Sequence, residues 1–305
     1  MKFQKERKNI TIYVYCPASE IDKVKSILNY LEFEVIYNDY SITELGDKHL
    51  CHYKSSGLEE DNKKFLVECT ENGAWVEPLV SYLDNLMGYT EVGLLHSGYF
   101  LHQKAFSILS NKRSQKIKRF IDLFSSIILF VVTLPITLLT AVAIKMDSKG
   151  TVFYKQLRTG LYNKEFYVYK FRSMGKDAEK SGAQWAQKDD MRVTRVGKFI
   201  RKTRIDELPQ LINVIRGEMS IVGPRPEREV FIKKLEEEIP YYRFRHAVKP
   251  GITGSAQVSY PYGASIEDAI WKHKYDIHYI KHHRTIKDIM ILFKTIKVVL
   301  FGMGR

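Results

Sequence analysis

Cysteine is almost missing from this chain of 305 residues, and the three present, Cys16, Cys51 and Cys69, all fall before position 110 with no C-x-x-C pair among them. This argues against a disulfide scaffold and a cysteine zinc site, and the odd count reads as buried, reduced thiols in a cytoplasmic setting. A cleavable leader is not expected either, because MKFQKERKNI leads into a short strand-like run rather than a long apolar one. No glycine-rich loop follows that run, so nucleotide binding there has no support, and a regulatory or docking role is expected of this part. Acidic residues are scarce in the remainder. Residues 111–305 carry 37 Lys and Arg against 19 Asp and Glu, net +18, whereas residues 1–110 carry 11 against 16, net −5. The chain therefore reads as two parts, the second facing an anionic partner: nucleic acid, an anionic membrane surface or a charged substrate.

The first part opens as a small α/β unit. Ile10–Tyr15 is β-rich, Ser19 to Leu31 has helical spacing, and Phe33–Tyr37 is β-rich again, while residues 39–110 are too mixed to assign. Asn111–Arg119, NKRSQKIKR, is basic with no acid, and Phe120–Ile144 is apolar apart from Asp122 and scattered Ser and Thr. Its 25 residues would reach roughly 37 Å as a helix, enough to cross a hydrocarbon core. Pro135 stands near the middle, and lysines and arginines flank both ends, from Lys112 to Arg119 and from Lys145 to Arg158. Positive flanks prefer the cytoplasmic side. The segment is therefore expected to enter and return as a re-entrant helix, break and helix, the alternative being a single-pass helix kinked at the proline.

Beyond the membrane segment, Val152–Met174 alternates around Gly160–Lys164 as a β-hairpin does, bringing Lys155, Arg158, Lys170 and Arg172 near one another. Arg192–Phe199 and Leu208–Ile215 have helical spacing with mixed basic and apolar faces, which suits helices at a membrane interface or against a soluble core, and Gly217 is a C-cap candidate. Trp271–Phe301 reads as one or two amphipathic helices, and its His278 and His282, one turn apart, lack the third ligand that zinc requires.

The stretch Arg201–Pro226, RKTRIDELPQLINVIRGEMSIVGPRP, sets the adjacent acids Asp206 and Glu207 among Arg201, Lys202, Arg204, Arg216 and Arg225. Guanidinium groups neutralise phosphate oxygens in pairs, and a carboxylate in that field holds a metal ion or attacks phosphorus. The plain alternative is a solvated first helical turn.

KRFID at 118–122, VFYKQLRTG at 152–160, YKFRSM at 169–174, residues 192–226, KPGITGSAQV at 249–258 and KYDIHYIKHHRTIKDIMILFKTI at 274–296 together resemble the bacterial sugar transferase family. These are monotopic polyprenyl-phosphate glycosyl-1-phosphate transferases that prime exopolysaccharide and glycan assembly. YPYGASIEDA at 260–269 and the ending VVLFGMGR are similar to the exopolysaccharide-associated subgroup. The resemblance implies an enzyme on the cytoplasmic face of the bacterial inner membrane that moves a sugar-1-phosphate from a UDP-sugar to undecaprenyl phosphate and releases UMP. By the same resemblance Asp206 is the nucleophile and forms an aspartyl-phosphosugar intermediate. Glu207 helps hold Mg²⁺, with Asp276 as a second acid. Pro224-Arg225-Pro226 lies by the nucleotide and phosphates, and Lys170, Arg172 and Arg204 neutralise phosphate. The chain departs from the family pattern at Ser255, where tryptophan is usual, and at Leu134 before Pro135, where serine is frequent.

The expected fold is α+β: interfacial helices around a β-hairpin, anchored by the re-entrant helix, with a small α/β domain in front. The expected divisions are residues 1–110, 111–147 and 148–305. A homo-oligomer or polysaccharide-assembly proteins are conceivable partners. Two other classes compete, a basic nucleic-acid binder and a catalytically silent membrane scaffold. The first leaves the apolar segment and the acid pair unexplained, and no nucleic acid is expected as a partner; intact Asp206, Glu207 and Arg225 argue against the second. A two-carboxylate glycosidase fits poorly, since adjacent residues do not flank opposite faces of a sugar.

Overall fold

The computed structural model describes residues 11–29, 31, 34–45, 48–101, 106–175, 178, 182, 190–261, 263 and 265–300, and it forms two compact units, Met1–Ser97 and Gly98–Arg305. Residues 262 and 264 of the YPYGASIEDA stretch, and the chain end from Phe301, lie outside the described residues.

In the first unit, strands β1 (Thr11–Tyr15), β2 (Glu34–Tyr37), β3 (His49–His52) and β4 (Trp75–Pro78) form a wholly parallel sheet in the order β2-β1-β3-β4. Helices α1 (Ile21–Leu28) and α2 (Glu60–Glu71) make the crossovers that parallel neighbours require, and α3 (Leu79–Met87) follows β4. The β1–α1–β2 reading holds. The continuation through β3 and β4 escaped it because HLCH and WVEP are four residues each and show no alternation of apolar and polar. Cys16, Cys51 and Cys69 are free and buried, and burial pushes the thiol of Cys51 up out of its reactive range.

The second unit begins at Gly98, within α4 (Ser97–Leu101), and continues through α5 (Ser107–Ser110). Phe106 is fully buried and packs on Phe244 at 4.6 Å between ring centroids, while the Ser107 hydroxyl donates to the His283 carbonyl at 3.0 Å. These contacts draw the approach to the membrane segment into this unit.

Helix α6 (Lys112–Asp147) carries apolar side chains exposed all round its length, Val132 and Leu139 being 66% and 72% exposed. A helix apolar on every side belongs in lipid. It runs unbroken through Pro135, where helix, break and helix was expected. A proline deletes one N–H and crowds the carbonyl four residues earlier, which bends a helix without ending it. Both ends of α6 dock on the second unit. Near its start Asp122 is buried and accepts from the Ser220 hydroxyl at 2.8 Å and the Ile221 amide at 3.1 Å. Near its end Ile144 packs with Phe171 and Ile200.

Strands β5 (Phe153–Thr159) and β6 (Glu165–Phe171) pair antiparallel as the expected hairpin. Helices α7 (Arg195–Lys202) and α8 (Gln210–Arg216) follow, with Gly217 capping α8 at φ +85°. Of the two, α8 faces protein: Leu211 and Val214 are buried, so its stripe serves a core and not an interface. Strands β7 (Ser220–Val222) and β8 (Gly251–Thr253) pair parallel, flanking α9 (Glu229–Glu238) in sequence. The chain closes with α10 (Ser255–Ser259), α11 (Ile266–Lys281) and α12 (Thr285–Leu300). Exposed Ile286, Ile289, Met290, Phe293 and Ile296 form one stripe on α12.

Candidate active site

The acid pair sits where α7 is forced to stop. Thr203 caps that helix, Arg204 turns left-handed at φ +58°, and Ile205–Glu207 close a single 3₁₀ turn before Pro209 starts α8. A non-glycine residue in that backbone region costs about 1–3 kcal/mol and persists where its surroundings impose it. The result of the turn is that Asp206 and Glu207 both point inward and are buried.

Glu207 is the pinned member. Its Oε1 takes Arg225 at 2.8 Å, Lys170 at 3.2 Å and Arg204 at 3.6 Å. Burial pushes its carboxyl up, yet Arg225, Lys170 and Arg204 outweigh burial and hold it well below the usual glutamate range. Asp206 moves the other way. Burial and then the neighbouring Glu207 charge raise its carboxyl above the ordinary aspartate value, against Lys170, Arg225 and Arg204. Its Oδ1 is buried without a hydrogen-bond partner among the described residues. Two adjacent carboxyls thus have divergent environments, one committed to cations and one with an open oxygen.

Each cation is placed by a different element. Lys170 comes from β6, Arg204 from the turn after α7, and Arg225 from the segment leaving β7. The Pro224-Arg225-Pro226 segment is fastened through its carbonyls: Pro224 accepts from the Gly251 amide at 2.9 Å, Arg225 from Arg245 at 3.0 Å and Pro226 from Arg158 at 3.2 Å. Close approach of β7 and β8 requires glycine at 251, where a Cβ would lie 2.1 Å from the Gly223 nitrogen. Two fixed prolines and three bonded carbonyls leave Arg225 little to lose on engaging a ligand.

A cavity of about 540 Å³ opens on this cluster, lined by Lys170, Arg201, Arg204, Asp206 and Arg225. It also takes in residues that the sequence reading passed over: Arg228, Arg245, Tyr260 and Lys272. Arg228 was within reach, because it follows the Pro-Arg-Pro segment closely. Arg216 and Lys155 are spent elsewhere, on the Tyr169 ring at 5.3 Å and the Tyr167 ring at 5.0 Å.

Two expected site residues serve as supports. Arg172 lines the cavity, but its guanidinium donates to the carbonyls of Ile144, Ser148 and Lys149 and to the Ser148 hydroxyl, so it caps the end of α6. Gly150, at φ +134°, makes room for it, since a Cβ there would come within 2.1 Å of the guanidinium. Asp276 accepts from Arg245 at 2.7 Å with both side chains buried, and Arg245 in turn holds the Arg225 carbonyl. Asp276 therefore acts on the site through Arg245.

Among the described residues no group of three or more His, Cys, Asp or Glu side chains is placed to hold a metal ion, and this applies to His278 and His282. The donor set that remains is the Asp206–Glu207 pair, with the open Asp206 oxygen. That suits a hard divalent cation of the Mg²⁺ type, which binds through one or two carboxylates and completes its shell with substrate phosphates and water.

The chain is 41% identical over 258 residues to the UDP-N-acetylgalactosamine-undecaprenyl-phosphate N-acetylgalactosaminephosphotransferase of Aeromonas hydrophila, covering 85% of this chain and 60% of that enzyme. It is 43% identical over 191 residues to the undecaprenyl-phosphate glucose phosphotransferase of Komagataeibacter xylinus, covering 61% of this chain and 36% of that protein. With the exopolysaccharide production protein PSS of Rhizobium leguminosarum bv. phaseoli it shares 40% identity over 186 residues, 59% of this chain and 93% of the relative. Residues 113–302, which include α6 from its second residue, the acid pair and every cation around it, match the family described as bacterial sugar transferase, and the chain belongs to that family.

Proposed function

We propose that the chain transfers a sugar-1-phosphate from a UDP-sugar to undecaprenyl phosphate, releasing UMP, and so starts assembly of an exopolysaccharide or related glycan. The observation that carries this reading is the Asp206–Glu207 pair: one carboxylate pinned through its Oε1 by three cations beside one with a buried oxygen that has no partner among the described residues. Asp206 attacks the β-phosphorus of the UDP-sugar, the bond from phosphorus to the oxygen bridging to UMP breaks, and an aspartyl-phosphosugar forms. The phosphate oxygen of undecaprenyl phosphate then attacks the same phosphorus and expels Asp206 as free carboxylate. Arg225 and Arg204 sit where the charge of the diphosphate gathers, and Lys170 keeps Glu207 ionised and in place. Mg²⁺ held by Glu207 and the donor phosphates would screen the approach of one anion to another and stabilise departing UMP.

The membrane geometry belongs to the same proposal. We read α6 as re-entrant, entering and leaving on the cytoplasmic face. Support comes from its two ends, since Asp122 near one and Ile144 near the other both bind neighbouring elements of the second unit, and from the bend that Pro135 allows between them. The α12 stripe lies on the same surface in this reading.

The test is UMP release by detergent-solubilised protein given Mg²⁺, undecaprenyl phosphate and a panel of UDP-sugars that includes UDP-N-acetylgalactosamine and UDP-glucose. Release with one donor, abolished by Asp206→Asn, is expected. No release with any donor, from protein shown to be folded, would overturn the reading.

A further inference from the structure

Among the described residues strand β6 has one edge paired with β5 and no strand on the other, and such an edge leaves amides and carbonyls to be satisfied. At that edge Asn213 Oδ1 accepts from the Tyr169 amide at 3.1 Å, and its Nδ2 donates to the Tyr167 carbonyl at 2.7 Å. The same Nδ2 donates its second proton to Glu218 at 2.7 Å. The side chain is fully buried, so each of these bonds replaces one that water cannot make. One amide group thereby makes the two bonds, to residue i and residue i−2, that a neighbouring strand would make.

We propose that Asn213 is a positioning residue for the acid pair, standing in for a third strand so as to fasten the strand that bears Lys170 to the helix that follows Asp206 and Glu207. This rests on the transferase reading above. The fastening point lies beside the working parts: Tyr169 is the residue before Lys170, and α8, which carries Asn213, begins just after the acid-pair turn. Lys170 reaches Glu207 at 3.2 Å, a distance set by how far β6 stands from that turn. Other side chains fail for stated reasons. Aspartate keeps the acceptor for the Tyr169 amide but turns its other oxygen, which has no proton to donate, toward the Tyr167 carbonyl and Glu218. Leucine fills the space and leaves both backbone groups buried without partners.

The experiment compares full-length wild type, Asn213→Asp, Asn213→Leu and the double variant Asn213→Asp with Glu218→Gln, all in detergent. Hydrogen exchange over residues 165–171 reads the tether without substrate. Kinetics with Mg²⁺, undecaprenyl phosphate and the UDP-sugar that wild type accepts reads its role. Faster exchange over 165–171 is expected in both single variants. With it goes a fall of about tenfold or more in kcat and a change of less than about threefold in KM for the UDP-sugar, the pattern of an interaction that matters in the transition state. The double variant, in which the amide introduced by Glu218→Gln can donate to the new carboxylate, is expected to recover part of kcat. Unchanged exchange would overturn the tether, and faster exchange with wild-type kcat would make Asn213 merely structural. A wild type that turns over no UDP-sugar defeats the transferase reading instead, and exchange then decides the tether alone.

Discussion

At the scale of single residues, the site separates groups that meet the reacting atoms from groups that hold them. In the proposed reaction Glu207 belongs with both: Glu207→Gln removes the charge on which Arg225, Lys170 and Arg204 converge, and kcat for UMP release is expected to fall by about 10²–10³. Arg172 belongs only with the second. Arg172→Leu leaves four acceptors at the end of α6 without their donor, so a stability loss of roughly 2–3 kcal/mol is expected, read as a lower thermal midpoint in detergent. Buried histidines set a pH limit of their own. Burial holds His246 and His273 down to about 3, against an ordinary 6.5. Between those values the unfolded chain binds protons that the folded one refuses, so stability falls as pH drops below 6.5. Each histidine contributes a slope of up to about 1.4 kcal/mol per pH unit. Unfolding midpoints measured from about pH 6 to pH 4 should show that slope, and His273→Phe should flatten it. The roles of Arg172 and Asp276 were not legible in the sequence, because a basic or acidic residue near a site looks the same whether it meets substrate or a carbonyl. The acid pair was legible because Arg201, Lys202 and Arg204 stand within a few residues of it in sequence, a nearness that survives any folding of the segment.

At the scale of elements, the hairpin β5–β6 and the C-cap of α8 could be read from alternation and from Gly217, since both depend on neighbours in sequence. Strands β3 and β7 could not: each is short, largely enclosed and defined by a partner far away in the chain. The direction in which α8 turns its apolar stripe was likewise undetermined, since the same spacing serves a core or a membrane surface. It is settled by Arg119 on α6, whose guanidinium donates to the Val214 and Ile215 carbonyls at 2.6 and 2.9 Å and draws α8 under the membrane helix. Asp122 makes the matching bonds to β7. Asp122→Leu strips the Ser220 hydroxyl and Ile221 amide of their acceptor inside a closed interface, and a destabilisation of roughly 2–4 kcal/mol is expected. Chemical denaturation of the detergent-solubilised protein would measure it.

At the scale of the molecule, charge and apolar surface are divided between the units. The second part, at net +18, is expected to favour vesicles of anionic lipid over neutral ones, and the preference should shrink between about 0.05 M and 0.5 M salt as screening shortens. The part held by α6 should resist salt altogether, so sedimentation with vesicles across that range separates the two contributions. Asp122 and Arg172 together also bear on how the protein is made. Helix α6 leaves the ribosome before β6, α7, α8 and β7, so for most of synthesis its docking residues have nothing to dock against. If α6 enters the bilayer as proposed, its entry is therefore decided by the apolar stretch alone, and the later segments assemble onto a helix already in lipid. A unit built in this order has its cations and acids brought into register at the membrane surface, where the two phosphate-bearing substrates of the proposed reaction would meet.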